Sequence, residues 1–174
     1  MGLFHFFFGF GGRINRAKMW LYLLFSIVVG CVAVYAVLTT VGLEHLVAIG
    51  QHRENPMTVF ANPALHTVFG ILGLVYLLLI WIDLAVKSKR LHDRDKSAWW
   101  LLVFVGLPFV LSIARLVTLF GALHAHAGAP GMPFDPTGTL LGGAAFLIQV
   151  WAFVELYCLA GTAGENRFGP DPLA

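Results

Sequence analysis

Four stretches of this chain, 19–41, 64–86, 98–120 and 138–160, each run for 23 residues with no more than one Asp, Glu, Lys or Arg. As a helix, 23 residues extend about 35 Å at 1.5 Å per residue, enough to cross the ~30 Å hydrocarbon layer of a bilayer. A helix that is apolar all round must be buried on every side in water, and a chain of 174 residues has too little other material to cover four of them. The composition agrees: 59% of residues are hydrophobic and 11% charged, against about 25% charged in a soluble domain. The expectation is an all-α, polytopic membrane protein, a single membrane domain over 1–174 with four transmembrane helices forming a four-helix bundle.

The charges set an orientation. Arg13, Arg16, Lys18, Lys87, Lys89, Arg90, Arg94, Lys96 and Arg167 fall on one side of such a layout, and only Arg53 falls in the opposite loops. Cations stay on the cytoplasmic side, so the N- and C-termini and the central charged segment are expected there. That segment, KRLHDRDKSAWW at 89–100, has six residues ionised at pH 7, a histidine and a closing Trp pair suited to the membrane interface. It reads as a loop pinned at the membrane surface, and a connector of about ten residues makes spans two and three antiparallel neighbours. The first ten residues hold five Phe and no charge, an interfacial segment. Gly2 begins no myristoylation signal, because position 6 is Phe. Val28-Val29-Gly30-Cys31 loosely resembles a lipoprotein cleavage box, yet the chain stays apolar for ten residues beyond Cys31. Cys31 and Cys158 both lie in apolar segments and read as small buried hydrophobes.

Three polar segments remote in sequence share the expected cytoplasmic side: the entry from Arg13 to Trp20, residues 89–100, and the Gly- and Pro-punctuated tail from Gly161. They are expected to form one compact cytoplasmic cap. Arg13, Arg16, Arg90, Arg94 and Arg167 offer guanidinium forks that match phosphate oxygens, and anionic lipid head groups are the nearest phosphates. On the alternative reading these cations set topology and pair with Asp93, Asp95, Glu165 and Asp171. The candidate anion-binding or cap network comprises Arg13, Arg16, Arg90, His92, Asp93, Lys96, Trp99, Asn166 and Arg167. His92-Asp93 invites a general-base reading, but neighbours in sequence seldom point at each other and no Ser or Cys nucleophile stands at a telling spacing. A structural hydrogen bond is the preferred role for His92, and Ser97 is expected to cap span three through its hydroxyl.

Inside the spans, Asp83, Arg115 and Glu155 are ionisable residues in a setting where each costs at least ~2.5 kcal/mol at mid-membrane. Asp83 stands four residues before Lys87, a helical ion-pair spacing. Arg115 is expected to snorkel outward and Glu155 to be neutral or bound to an arginine of the cap, the two lying too far apart in depth to meet. Pro108 is expected to kink span three, and Gly138 with Gly142 to let span four approach a neighbour closely. His45, His52, His66, His124 and His126 cluster on the outer side, but their connectors lack Cys and any fixed ligand spacing, so no metal and no cofactor is expected.

The segments GRINRAKMW, KRLHDRDKSAWW and GTAGENRFGPDP, in this order and separated by apolar spans, resemble the three signatures of the domain of unknown function 805 family of small bacterial inner-membrane proteins. The match covers nearly the whole chain, and the middle segment is the most diagnostic. Ala98 stands where many members have Gly, and the connectors at 43–63 and 121–137 are longer than in compact relatives. The resemblance implies the fold and a bacterial inner-membrane location, and carries no activity with it. The function expected is a non-catalytic accessory or anionic-lipid-binding component of the membrane, with lipids and an unidentified protein as partners, homo-oligomers left open and no nucleic acid. The rivals are a membrane-embedded enzyme acting on a lipid or phosphate substrate and a small transporter or channel subunit.

Overall fold

The computed structural model describes residues 2–42, 47, 63–126 and 135–173. A short helix, α1 (Leu3–Phe8), is followed by α2 (Arg16–Val41) and α3 (Pro63–Asp93). A π-helical turn, Leu102–Gly106, leads into α4 (Leu107–Ala125), and α5 (Pro136–Phe153) ends in a second π-helical turn, Val154–Cys158. Among the described residues four helices are long and apolar enough to cross a membrane, over Arg16–Thr40, His66–Asp93, Leu102–Ala125 and Pro136–Cys158. Between 6% and 22% of each apolar stretch is buried within the protein. A soluble monomer rarely leaves contiguous apolar surface of that extent open, so the rest is surface for lipid. His45, His52, Arg53 and residues 127–134 of the second connector lie outside the described residues.

The chain divides into two compact units. The first holds Met1–Gly9 and Trp20–Ala85; in it Phe7 packs on Phe25, and the Tyr22 hydroxyl of α2 donates to Asp83 of α3 at 3.3 Å. The second holds Phe10–Met19 and Val86–Ala174, with α4 packed along α5. There Trp151 meets Trp100 and Phe104 edge to face. This π-helical stretch is where α4 absorbs Pro108. Proline has no N–H and its ring crowds the carbonyl four residues back, and the wider turn just ahead of it, closed by Leu107 N–H to Leu102 O, takes up the distortion.

Three details depart from expectation. The 89–100 segment is not wholly a loop: α3 continues through Lys89, Arg90, Leu91 and His92 to Asp93, because straight-chain residues and leucine favour the helix and cations suit its negative end. Cys31 and Cys158 are free thiols on the exposed surface rather than buried hydrophobes, since helices facing lipid need no apolar residue turned inward. Ser97 opens the third span through its carbonyl oxygen, which accepts from Trp100 N–H at 3.2 Å.

Candidate functional site

The most deeply buried large side chains belong to charged residues. Arg90 and Lys89 head the fully buried set, ahead of Ile14, Met19 and Leu91. Burial of this kind is tolerated only when the groups are paired and hydrogen-bonded, and among the described residues no buried side-chain nitrogen or oxygen lacks a partner.

The end of α3 aims the centre of the network. Asp95 takes φ = 55°, the left-handed position that glycine usually fills and aspartate tolerates. Asp95 N–H then reaches His92 O at 3.0 Å and Lys96 N–H reaches Leu91 O at 2.9 Å, the paired bonds of a Schellman stop. Just before this stop, Asp93 turns its carboxylate to two arginines. Arg13 meets Oδ1 with Nε at 3.2 Å and Nη2 at 3.1 Å, and Arg90 Nη1 meets Oδ2. The remaining donors of Arg13 go to the tail: Gly164 O at 2.6 Å, Gly169 O at 3.2 Å and Thr162 O at 2.6 Å. Thr162 N–H returns to Asp93 O at 2.7 Å. Gly161 is obligatory here, because the Asp93 carboxylate occupies the space a Cβ would need.

A second set of bonds closes the end of α5. The last carbonyls of a helix have no intrahelical donor, and the last turn here carries no cation of its own. Three arginines from elsewhere supply the donors. Arg90 Nε reaches Leu156 O at 2.8 Å and Nη2 reaches Leu159 O at 2.5 Å. Arg16 reaches Cys158 O at 3.0 Å, and Arg94 reaches Ala160 O at 2.5 Å. Glu155, in the same turn, is held by Arg94 at 3.0 Å and Lys96 at 2.7 Å, and Lys96 also sits 4.8 Å from the centre of the Trp100 ring.

His92 closes the third side. Its Nδ1 lies 3.3 Å from Gly12 O, a contact that requires the proton on Nδ1, and its ring stacks on Phe168 with centroids 4.0 Å apart. Asn166 donates to His92 O at 2.9 Å, and exposed Arg167 pairs with Asp95 at 3.0 Å. Asp171 accepts from Gly164 N–H and Leu173 N–H, each at 2.9 Å. Those two backbone bonds, Leu173 first, hold its carboxyl below the ordinary aspartate value.

The structure thus brings together Arg13, Arg16, Arg90, His92, Asp93, Lys96, Asn166 and Arg167, while Trp99 stands apart at 76% exposure. It changes what several of them do. The forks of Arg13 and Arg90 are turned on protein acceptors instead of outward as a phosphate clamp, and the Asp93 side chain addresses arginines instead of orienting His92 as a base. Glu155 and Arg115 have separate surroundings: the Arg115 guanidinium lies on the bare backbone of Gly142. Gly138 likewise leaves room for Asp135 and Thr118. Asp135 caps α5 by accepting from Gly138 N–H at 2.8 Å, and that bond followed by the Thr118 hydroxyl keeps its carboxyl below the ordinary value. The two glycines therefore admit polar side chains between α4 and α5. Sequence reasoning missed the arginine caps on α5; the missing signal was a span ending at Cys158 with no Lys or Arg in its last turn, beside an entry segment rich in them.

Comparison with known proteins agrees with this architecture. The family described as "Protein of unknown function (DUF805)" matches residues 7–170, a range that includes the first two polar segments whole and the third as far as Pro170. The chain is similar to "Inner membrane protein YhaH" of Escherichia coli (strain K12), with 30% identity over 165 residues covering 94% of this chain and 87% of that protein. It is also similar to "Inner membrane protein YhaI" of the same organism, at 24% identity over 165 residues and 94% and 86% coverage. No solved structure matches. With the match running through the apolar helices and the polar cap alike, the chain belongs to the DUF805 family and is an integral inner-membrane protein.

Proposed function

We propose that this protein is a non-catalytic accessory component of the bacterial inner membrane, with both termini and the polar cap on the cytoplasmic side, where the cap rests on anionic lipid head groups as a rigid platform. The observation that carries this reading is the closure of Arg13, Arg90 and Asp93 on protein partners: the buried groups serve as a clasp, and interaction with the surroundings falls to the rim. On that rim the charges are unbalanced: Arg16, Lys18, Lys87, Arg94, Lys96 and Arg167 are exposed or half-buried against the carboxylates of Asp95, Glu165 and Asp171, an excess of three positive charges. Lys18 and Trp99 are exposed, a cation and an aromatic of the kinds that favour an anionic interface.

The test has two arms. A reporter fused after Leu173 is expected to give a cytoplasmic signal; an exterior signal overturns the orientation. In nanodiscs, the melting temperature is expected to rise when phosphatidylglycerol replaces part of a zwitterionic lipid, and Lys18→Gln with Trp99→Ala is expected to remove most of that rise. A melting temperature indifferent to anionic lipid refutes the platform reading and leaves the clasp intact.

A further inference from the structure

Arg115 lies mid-way along α4, ten residues before the last residue, Ala125, about 15 Å along the helix axis. It is exposed, and among the described residues its guanidinium makes no hydrogen bond and no ion pair. The guanidinium lies over Gly142 of α5, with Nη1 3.2 Å from the place a Cβ would take. A guanidinium keeps its charge in a protein, and inside a span that charge is expensive unless an anion meets it or head groups and water are drawn inward. One turn nearer the start of α5 stands the opposite charge. Gly138 precedes Gly142 by four residues, about 6 Å along the axis, and the Asp135 carboxylate occupies the space over it. The Gly138 N–H first, then the Thr118 hydroxyl and the Arg115 charge, hold this carboxyl below its ordinary value, so it is ionised at neutral pH. Each carboxylate oxygen accepts one of the two hydrogen bonds, which leaves a lone pair on both. The cap closes the other end of α5. We propose that Arg115 and Asp135 together hold the head group of an ethanolamine phospholipid in the leaflet opposite the cap, with the phosphate on Arg115 and the ammonium on Asp135.

The order of the two charges selects this occupant. The cation of the protein lies about one turn deeper than the anion, and in a phospholipid the phosphate stands next to the hydrocarbon with the amine beyond it. The P–O–C–C–N link spans up to about 5 Å at ~1.5 Å a bond, and an ion contact at each end lets it bridge the two sites. Guanidinium forks match phosphate oxygens bidentately, and a primary ammonium brings three N–H donors to the spare lone pairs of Asp135. A choline group has no N–H to give, and a glycerol head group leaves the phosphate charge unbalanced beside a carboxylate. Leu116 and Val117, next to Arg115, are exposed and offer the acyl chains an apolar surface, whereas a soluble phosphate ester would have to leave water to reach this depth. The site shares no residue with the cap, so neither assignment needs the other.

The probes are phosphatidylethanolamine, phosphatidylcholine and phosphatidylglycerol, each with the same diazirine at the glycerol end of one acyl chain. Each is photolysed at equal mole fraction with the full-length protein in phosphatidylcholine nanodiscs and mapped by peptide mass spectrometry. Peptides containing Ser112 to Thr118 or Gly138 to Gly142 are expected to take up the ethanolamine lipid at least fivefold more than either of the others. Arg115→Gln is expected to reduce that preference to less than twofold. Asp135→Asn keeps a capping side chain and is expected to place the glycerol lipid ahead of the ethanolamine lipid. A melting curve for each variant confirms folding, and the ratios on the unaltered protein decide the matter even if a variant fails. Equal uptake of the three lipids, or stronger uptake of the glycerol lipid, overturns the proposal. So does a preference that survives in a folded Arg115→Gln protein, labelling that excess soluble phosphoethanolamine abolishes, or cross-linking of these peptides to a second copy of the chain in place of the lipid.

Discussion

The polar cap and the α2–α3 unit are stabilised by opposite means. In the cap, Arg13, Lys89, Arg90 and Asp93 are almost wholly buried, and the geometry is specified by charge-assisted bonds that have no substitute once a partner is lost. Along α2 and α3, Leu21, Val32, Leu74 and Leu77 are all exposed, and lipid is as good a neighbour for them as another side chain. The contrast teaches that in a membrane protein the specific, cooperative part of the structure can be its most polar part, because the hydrophobic effect holds the helices in the bilayer without choosing their partners.

The sharpest way to break this comparison is to neutralise one carboxylate in each region. Asp93→Asn leaves two buried guanidinium groups without their counter-charge, and removing one partner of a buried pair typically costs about 3–5 kcal/mol. Asp83→Asn keeps an acceptor for the Tyr22 hydroxyl and is expected to cost about 1 kcal/mol or less. Thermal unfolding in detergent measures both; equal losses would mean that the cap is not the cooperative centre.

Next in size is the coupling within the cap. Arg90→Ala removes donors to Leu156, Leu159 and Asp93, and Asn166→Ala removes the donor to His92 O. Because both act on the α3 terminus, the double variant is expected to deviate from additivity by about 0.5–3 kcal/mol. Simple additivity would divide the cap into independent pieces.

A glycine pair sharpens the contrast further. Gly161→Ala drives a methyl group into the Asp93 carboxylate and is expected to destabilise by about 1–3 kcal/mol. Gly73→Ala meets nothing within 4 Å and is expected to be neutral or to stabilise by up to about 1 kcal/mol through helix propensity. The same melting curves separate the two.

The smallest effect is one of pH. The Asp171 carboxyl is held below its ordinary value in the folded tail, so its contribution is fully present above the unfolded value of about 3.9 and is lost as pH falls through the lowered folded value. Protection of the Gly164 and Leu173 amides, measured relative to their intrinsic exchange rates, is expected to fall below about pH 4, while amides within α2 keep their protection. Protection factors at these two amides that stay unchanged through that range would remove Asp171 from the tail's support.

Much of the site was legible from the chain because charge is conspicuous in an apolar background. Arg90, His92, Asp93 and Asn166 stood out as residues with no place in lipid, and their convergence followed from even-numbered spans returning the chain to one side. Their directions were not legible. Whether Arg13 and Arg90 point out to phosphate or in to Asp93 depends on where the tail carbonyls lie, and a Gly-rich tail such as GTAGENRFGP places no carbonyl until it is folded. Residues 89–93 were misjudged as loop because their polarity marks the end of lipid, which is not the end of the helix.

By itself the sequence determined that this protein lies in a membrane, how many helices are long enough to cross it, and which three segments carry its polar chemistry, because transfer from water to lipid is a local property summed along a short window. Only the tertiary structure decided that Gly161 must lack a side chain beside Asp93, that Arg16, Arg90 and Arg94 cap the end of α5, and that Arg115 lies over Gly142. Each of these joins residues far apart in the chain through bonds a few ångströms long, and such distances exist only once the helices have packed.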